Sequence, residues 1–371
     1  SVDLARPLRI GVVTPHNPHD KTSFSGTVHY AVGALSKRPE LDIRVLGPHR
    51  PVGRIDRVLS RGPTRIDTAT LNQARNDGLV VGLGLTACAF MARAIEVTDL
   101  PLVHVTDATP CFLREVYGRN KPLSEDIREA KILNRATTVY SSRFMAQRAL
   151  AKFGAIAADA HHLKFGVNFA NLPSGLPEKR SLDRLELLFV GGDWERKGGR
   201  RALAAFDALR ATGRDAHLTL VGSVPEPVKA NLKTRRDITI TGFLDKNRPR
   251  DAAQLAALYA RAHLFILPTL ADCTPMVLAE AMAHHTPVIA TDVGGISEMI
   301  GQGAGRVLAA TASAADWAAT IVDMTEDPSA YGFLCDGAHD RVAEHLNWDV
   351  WAEGLAAIAA ETILEKAARA A

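Results

Sequence analysis

The feature that most constrains the fold is an alternation between short apolar runs and amphipathic, helix-like segments. Ten runs rich in Val, Ile and Leu recur, five on each side of a polar, proline-bearing stretch. They span residues 8–14, 43–46, 79–83, 102–105, 138–141, 185–190, 218–221, 238–241, 264–267 and 288–290. Apolar strands without polar alternation are buried on both faces, and strands separated by helices are joined by crossovers and run parallel. The pattern therefore predicts an α/β protein with two doubly wound, Rossmann-like parallel sheets wrapped by helices.

Chain length agrees with two domains, because 371 residues exceed the roughly 250–300 at which a single hydrophobic core stops growing. We predict an N-terminal domain at residues 1–170, a linker at 171–184, a C-terminal domain at 185–347 and a closing helix at 348–371. The closing helix is expected to cross back to the N-terminal domain. Ligands of such sheets bind outside the carboxyl ends of the strands, which points to the loops after the apolar runs and to a cleft between the domains.

Charge and hydropathy exclude several classes of protein. The net charge of +3 argues against a dedicated nucleic-acid binder, so no nucleic-acid partner is expected. No apolar stretch approaches the roughly 18 residues of a membrane-spanning helix, and residues 1–9 do not read as a secretory signal. The four cysteines are scattered without metal-ligand spacing, as in a reduced protein. The expected location is the cytoplasm.

A candidate anion site follows the apolar run at 185–190. The sequence Phe-Val-Gly-Gly-Asp-Trp-Glu-Arg-Lys-Gly at 189–198 turns from a strand into a loop, and a helix is predicted to begin near Gly198. Arg196 and Lys197 lie where backbone N–H groups and the helix dipole already favour an anion. This arrangement is typical of a diphosphate site, although a solvated charged turn would have the same composition.

A pair of carboxylates forms the second candidate site. Asp272 and Glu280 are separated by seven residues within a strand end, loop and helix at 267–283. The spacing places Asp272 in the loop facing the predicted cleft and Glu280 one to two turns into a helix that begins near Thr274. One carboxylate can accept hydrogen bonds from sugar hydroxyls while the other accepts them from a ribose.

These motifs resemble glycosyltransferase family 4, which comprises retaining enzymes of the GT-B fold, and the resemblance covers nearly the whole chain. The family signature is an acidic pair with seven residues between its members, followed by Ala-Met-Ala and Pro-Val-Ile-Ala, which stand here at 281–283 and 287–290. Further matches are Gly191, Lys197-Gly198, Val221-Gly222, Thr241-Gly242-Phe243, Leu267-Pro268, Gly294-Gly295 and Asn347-Trp348-Asp349.

The resemblance implies transfer of a sugar, with retained configuration, from a UDP-, GDP- or ADP-linked donor, without a metal or other cofactor. The motifs do not identify the acceptor, for which a glycan or glycolipid precursor is one candidate. The N-terminal domain would bind the acceptor and the C-terminal domain the donor. Lys197 would bind donor phosphates, Glu280 the ribose, and Asp272 with the backbone of residues 274–276 the sugar. The implied catalytic residues are Asp107, Lys197 and Asp272; the implied donor-binding residues are Gly26, Arg196, Lys197, Gly222, Phe243, Asp272, Thr274, Pro275, Met276 and Glu280.

The chain departs from the family pattern at several positions. Gly192 stands where the family usually has a phosphate-binding arginine, so Arg196 would supply that charge from a shifted position. Asp272 replaces the usual glutamate and Pro275 enters a glycine-rich loop, which leaves the donor sugar open. His284 and His285 replace a small residue and a glycine. We interpret them as side chains that hydrogen-bond to the last carbonyls of the helix and complement its dipole, and not as metal ligands.

The N-terminal half offers weaker candidates. Gly26 matches a family glycine in a loop before a helix, close to the donor phosphates. Asp107 follows the apolar run at 102–105 and occupies about the place of a family histidine near the reacting sugar. Either Asp107 or His104 could orient the acceptor or relay a proton, although His104 can equally be a buried core residue.

A basic stripe and two rival functions complete the predictions. Arg50, Arg54, Arg57 and Arg61 recur at helical spacing and can contact an anionic membrane surface, or else form a solvated face. Gly-Leu-Gly-Leu-Thr-Ala at 82–87 weakly resembles a dinucleotide fingerprint, so an NAD-dependent oxidoreductase is one rival. A non-catalytic sugar-nucleotide or glycan-binding protein with the same fold is the other.

Overall fold

A computed structural model describes residues 7–14, 16–46, 72, 76, 79–83, 91, 95–96, 98–120, 122–169 and 181–370. The chain divides into two compact units, one formed by Ser1–Gly166 with Asn347–Ala371 and the other by Val167–Leu346. The basic stripe at 50–61, most of the predicted linker and most of the fingerprint at 82–87 lie outside the described residues.

The first unit is built on a parallel sheet with the order β2-β1-β3-β4-β5-β6 among its described strands. These strands are β1 Leu8–Val13, β2 Leu41–Leu46, β3 Leu79–Leu83, β4 Leu102–Thr106, β5 Thr137–Tyr140 and β6 His161–His162. The strand order reverses between β1 and β3, so the loops after β1 and its neighbours meet at the carboxyl edge of this sheet.

Local signals fix where the helices of the first unit begin. Thr109 and Ser142 accept hydrogen bonds from backbone N–H groups three residues on, and Pro110 stands at a helix's first position. The helices of this part of the chain are α1 Thr27–Ser36, α2 Pro110–Glu115, α3 Ser124–Arg135 and α4 Arg143–Phe153. A short 3-10 helix precedes α1 at Ser23–Gly26, and another follows α4 at Gly154–Ala157.

The second unit has a parallel sheet with the order β12-β11-β10-β7-β8-β9 among its described strands. They are β7 Arg184–Gly191, β8 Asp215–Gly222, β9 Ile238–Gly242, β10 Leu264–Leu267, β11 Val288–Thr291 and β12 Gly305–Leu308. The order reverses between β7 and β10, the point at which doubly wound sheets bind their ligands.

Helices flank the second sheet and enclose one core that contains Phe206, Phe265 and Trp317. They are α5 Gly199–Ala211, α6 Glu226–Leu232, α7 Pro249–Arg261, α8 Met276–Ala283, α9 Ile296–Ile300, α10 Ala314–Glu326 and α11 Pro328–His345. Ser313 and Asp316 form a reciprocal capping box at the start of α10.

The last helix, α12 at Trp348–Ala370, belongs to the first unit, where it packs on α1 and β4. Trp348 stacks on Phe165 with a ring separation of 5.6 Å, and Thr362 Oγ1 donates to Thr137 Oγ1 at 2.9 Å. None of the described helices combines the length and the apolar content that crossing a bilayer requires. The α/β class with two doubly wound parallel sheets and a closing helix is confirmed.

Candidate functional site

The topology of the second unit brings three loops to one edge of its sheet. They follow β7 at residues 192–198, β10 at 268–275 and β11 at 292–295, and β7 and β10 flank the reversal of strand order. All strands are parallel, so their carboxyl ends share this edge. The predicted phosphate turn and the loop of Asp272 are therefore neighbours, although 75 residues separate Lys197 from Asp272.

Backbone contacts lock the first two loops together. Leu270 N donates to Arg196 O at 2.8 Å, and Thr269 Oγ1 donates to the same oxygen at 3.0 Å. Gly198 has φ +78°, and a Cβ there would lie 1.9 Å from Pro268 O. Only glycine allows both this left-handed conformation and this approach, which explains the glycine directly after Lys197.

The third loop packs on the backbone of Asp272 in the same way. Gly294 has φ +60°, and a Cβ there would lie 1.9 Å from Asp272 O. Gly295 N donates to Cys273 O at 3.0 Å. Asp272 is therefore held by backbone contacts on both sides, which fixes the position of its carboxylate before any ligand arrives.

Two cations converge on that carboxylate. Lys197 Nζ lies 2.5 Å from Asp272 Oδ2, and Arg196 Nη1 lies 3.5 Å from the same oxygen while donating to Ala271 O at 2.8 Å. Arg196 Nε also reaches Asp193 Oδ2 at 3.2 Å. The side chains of Lys197 and Asp272 are only 13% and 8% exposed. Partial burial weakens solvent screening, so the attraction between the two cations and the Asp272 carboxylate is stronger than it would be in open solvent.

Glu280 lies on α8 with a fully buried side chain whose two oxygens have different partners. Oε1 pairs with Lys246 Nζ, and Oε2 accepts from Tyr259 Oη at 3.0 Å. Burial and the adjacent Glu280 carboxylate raise the pKa of Tyr259, so its hydroxyl keeps the proton that it donates. Sequence reasoning missed both partners. The buried spacing of Leu255 and Tyr259 on α7 was the available signal for Tyr259.

The two histidines close α8. His284 Nδ1 donates to Glu280 O at 2.8 Å, and its ring stacks on Tyr259 at 5.6 Å. Burial lowers the pKa of His284. His285 has φ +55° and stacks on His339 at 4.1 Å. Across the described residues, no group of three or more His, Cys, Asp or Glu side chains has the arrangement of a metal site.

The other predicted donor residues of the second unit lie at the same edge of its sheet. Phe243 follows the end of β9 and is 56% exposed. Gly222 ends β8 beside Gly191. Thr274 and Pro275 precede α8, which begins at Met276, two residues after Thr274, because Pro275 has an extended conformation.

Gly26 belongs to the first unit, where it ends a tightly folded loop after β1. Phe24 and Ser25 have φ of 51° and 57°, and Gly26 has φ +90°. Left-handed conformations are strained for non-glycine residues and concentrate at functional sites, where successive N–H groups can form an anion-binding concavity. The strain supports a functional reading of this loop, which the sequence alone supported weakly.

Asp107 and His104 occupy different environments in the first unit. Asp107 follows β4 directly and is half-buried at the carboxyl edge. His104 lies inside β4, and burial lowers its pKa to about 4. A neutral, enclosed imidazole within the sheet favours the core-residue alternative for His104.

The segment that contains this site matches a family of known proteins. The family described as "Glycosyl transferases group 1" matches residues 184–327, a segment that contains the turn of Lys197, the loop of Asp272 and helix α8. Glycogen synthase from Mycobacterium tuberculosis is 27% identical over 277 residues, 72% of this chain and 64% of its own. A D-inositol 3-phosphate glycosyltransferase from Arthrobacter sp. is 31% identical over 154 residues, 40% of this chain and 36% of its own.

Solved structures share the whole fold. Sucrose-phosphate synthase from Thermosynechococcus elongatus superposes with a TM-score of 0.71 at 17% identity, covering 96% of this chain and 100% of its own. HepE from Anabaena, solved with UDP and glucose, gives 0.68 at 16% identity, with 95% and 100% covered. The GT-B fold is confirmed, and the relatives support the predicted glycosyltransferase class. The chain spans 64% of the length of the glycogen synthase.

Proposed function

We propose that this chain is a glycosyltransferase that uses a nucleoside-diphosphate sugar and binds its donor at the carboxyl edge of the second sheet. The observation that carries the proposal is the convergence of Lys197 and Arg196 on Asp272 at the point where the strand order reverses. HepE, which has the same fold, was solved with UDP and with UDP-glucose, so UDP is the first candidate for the leaving group.

Within this site, the main physical task is stabilising the departing diphosphate. Lys197 and Arg196 supply two positive charges in a partly buried setting, where preorganised charges act most strongly on developing negative charge. Arg196 stands in for the family arginine replaced by Gly192. No metal or cofactor is needed in this scheme.

Other residues of the site contact the sugar, the ribose and the base of the donor. Asp272, fixed by the loops on both sides, accepts hydrogen bonds from the transferred sugar together with the backbone of residues 274–276. Glu280 accepts from the ribose, and the exposed Phe243 offers an apolar surface for the base. We assign Gly26 and Gly222 to donor binding. Asp107 acts on the acceptor.

We also propose that the transfer retains configuration and that the chain is a member of glycosyltransferase family 4. The bond from the anomeric carbon to the diphosphate breaks with its electron pair leaving on oxygen. The acceptor oxygen bonds to the same face, and its proton passes to the departing diphosphate. Proton NMR of the first product formed from UDP-glucose tests this directly. An α-configured product is expected, and a β-configured one would refute retention.

A thermal-shift screen of the wild-type protein with UDP, GDP, ADP and NADH tests the donor class. A ligand that binds the native state raises the unfolding midpoint by mass action. Stabilisation by one nucleoside diphosphate is expected. A response to NADH alone would replace the glycosyltransferase by the oxidoreductase. The non-catalytic alternative predicts a different result. The protein would bind a nucleoside diphosphate but would neither hydrolyse the matching nucleotide sugars nor transfer their sugar to any of a panel of acceptors.

A further inference from the structure

The carboxylate of Glu280 is occupied in a way that its proposed role does not explain. Its side chain is 1% exposed, yet both oxygens already have partners within the protein, Lys246 on one side and Tyr259 on the other. A ribose that binds here must gain access to a group that is closed off from solvent. The access route therefore depends on which partner yields.

The two partners differ in burial. Tyr259 is 0% exposed, and its ring packs between Phe265 and His284. The side chain of Lys246 is 17% exposed and comes from the connection between β9 and α7. Lys246 is thus the partner of Glu280 that reaches solvent. Its four-carbon stem can swing aside by side-chain rotation alone, which the enclosed tyrosine ring cannot do.

Charge explains why a lysine holds this position. A buried carboxylate without a compensating partner is strongly disfavoured, so Glu280 requires a cation while the ribose is absent. Ribose hydroxyls satisfy the same oxygen by hydrogen bonding. Exchange of Lys246 for the ribose therefore keeps Glu280 satisfied in both states.

We propose that Lys246 is a specificity-determining residue of the donor site that occupies Glu280 in the donor-free protein and gives way to the ribose 2′- and 3′-hydroxyls. This inference rests on the proposed donor site. Competition between the lysine and the hydroxyls lowers the contribution that these hydroxyls make to affinity in the wild-type protein. Removing the lysine's charge restores that contribution.

The test is a two-by-two comparison by calorimetry at pH 8. Wild type and Lys246→Met are each titrated with UDP and with 2′,3′-dideoxy-UDP, or with the GDP or ADP pair if wild type prefers that base. Methionine keeps an apolar stem of similar length. The ratio of the two affinities is expected to rise about tenfold in Lys246→Met, the size of one hydrogen bond to a charged group.

An unchanged or smaller ratio would overturn the inference, because it shows that lysine and hydroxyls do not compete. If both affinities also fall by the same factor, Lys246 acts on the phosphates or has a purely structural role. Lys229→Met is the matched control, because Lys229 on α6 forms an exposed pair with Glu226 and its replacement leaves the ratio unchanged.

Folding and the donor assignment are checked separately. If Lys246→Met does not fold, Lys246→Gln replaces it, because the amide still donates to Glu280 without a charge, and the ratio is expected to rise in this variant too. Should wild type bind none of the three diphosphates, the proposed donor site fails and this inference fails with it. Binding by wild type with an unchanged ratio removes only the role of Lys246.

Discussion

Gly198→Ala is the substitution that most sharply tests whether contact between two loops builds the site. The added Cβ would lie 1.9 Å from Pro268 O, and the residue has φ +78°. Something must therefore move, and the neighbours that can move are the loops of Lys197 and Asp272. We expect the substitution to separate the charges that these loops hold 2.5 Å apart.

The magnitude follows from two terms. A left-handed conformation costs a non-glycine residue about 1–2 kcal/mol. Overpacking of a closely packed site adds about 1–3 kcal/mol. Gly213 isolates the first term, because it has φ +86° with no atom within 4 Å of an added Cβ. The difference between Gly198→Ala and Gly213→Ala should therefore be about 1–3 kcal/mol.

Denaturant unfolding followed by tryptophan fluorescence measures this difference, because Trp194 and Trp317 lie in the second unit. UDP titration of both variants supplies the functional readout. Gly198→Ala should lose stability and nucleotide binding together, while Gly213→Ala loses only the smaller amount of stability and binds normally. Equal destabilisation of the two variants, or normal UDP binding by Gly198→Ala, would refute the argument.

Three further predictions concern single side chains. Glu280→Gln should weaken UDP binding about tenfold in calorimetry, through loss of a charged acceptor, and unchanged affinity would remove Glu280 from the ribose. Burial raises the pKa of Glu129 to about 8, so the folded state keeps a proton that the unfolded chain releases, and stability falls as pH rises from about 4.5 to 8. Between pH 6.5 and 8 this loss is about 2 kcal/mol in wild type and absent in Glu129→Gln, which urea unfolding at several pH values measures. The same dependence of unfolding free energy on pH in both proteins would contradict the prediction. Gly26→Ala brings Cβ to 2.8 Å from Lys21 O and should reduce the rate of sugar transfer at least tenfold by disturbing the loop. Gly33→Ala, whose Cβ meets open space, should leave the rate unchanged, and equal rates of the two variants would exclude Gly26 from the site.

The sequence predicted the strands well because buried parallel strands are written as continuous apolar runs. All ten predicted runs lie on strands of the structure. Two of the strands that the structure describes were missed. β6 has only two residues, and β12 is Gly-Arg-Val-Leu, which is too short and too polar to stand out from a loop. Their place at the ends of the two sheets is consistent with weak patterns.

The parts of the site that lie within a local motif could be predicted from the sequence. The contacts between side chains that are distant in the sequence could not. The turn of Lys197 and the acidic pair were visible in the sequence, and parallel topology explains why they meet. The ion pair from Asp272 to Lys197 and the closure of Glu280 by Lys246 join residues 75 and 34 positions apart. No local pattern encodes such side-chain contacts, because they depend on how loops pack at the sheet edge.

The most direct test of the donor site is a calorimetric titration of UDP into wild type, Lys197→Ala and Arg200→Ala. Arg200 stands three residues further on, is 67% exposed and pairs with Glu195, so it controls for a general loss of positive charge. Lys197→Ala should weaken UDP binding about tenfold or more, the size of a lost charge-assisted hydrogen bond, while Arg200→Ala binds as wild type does. Equal affinity of the Lys197→Ala variant and wild type for UDP would contradict the assignment of the phosphate site.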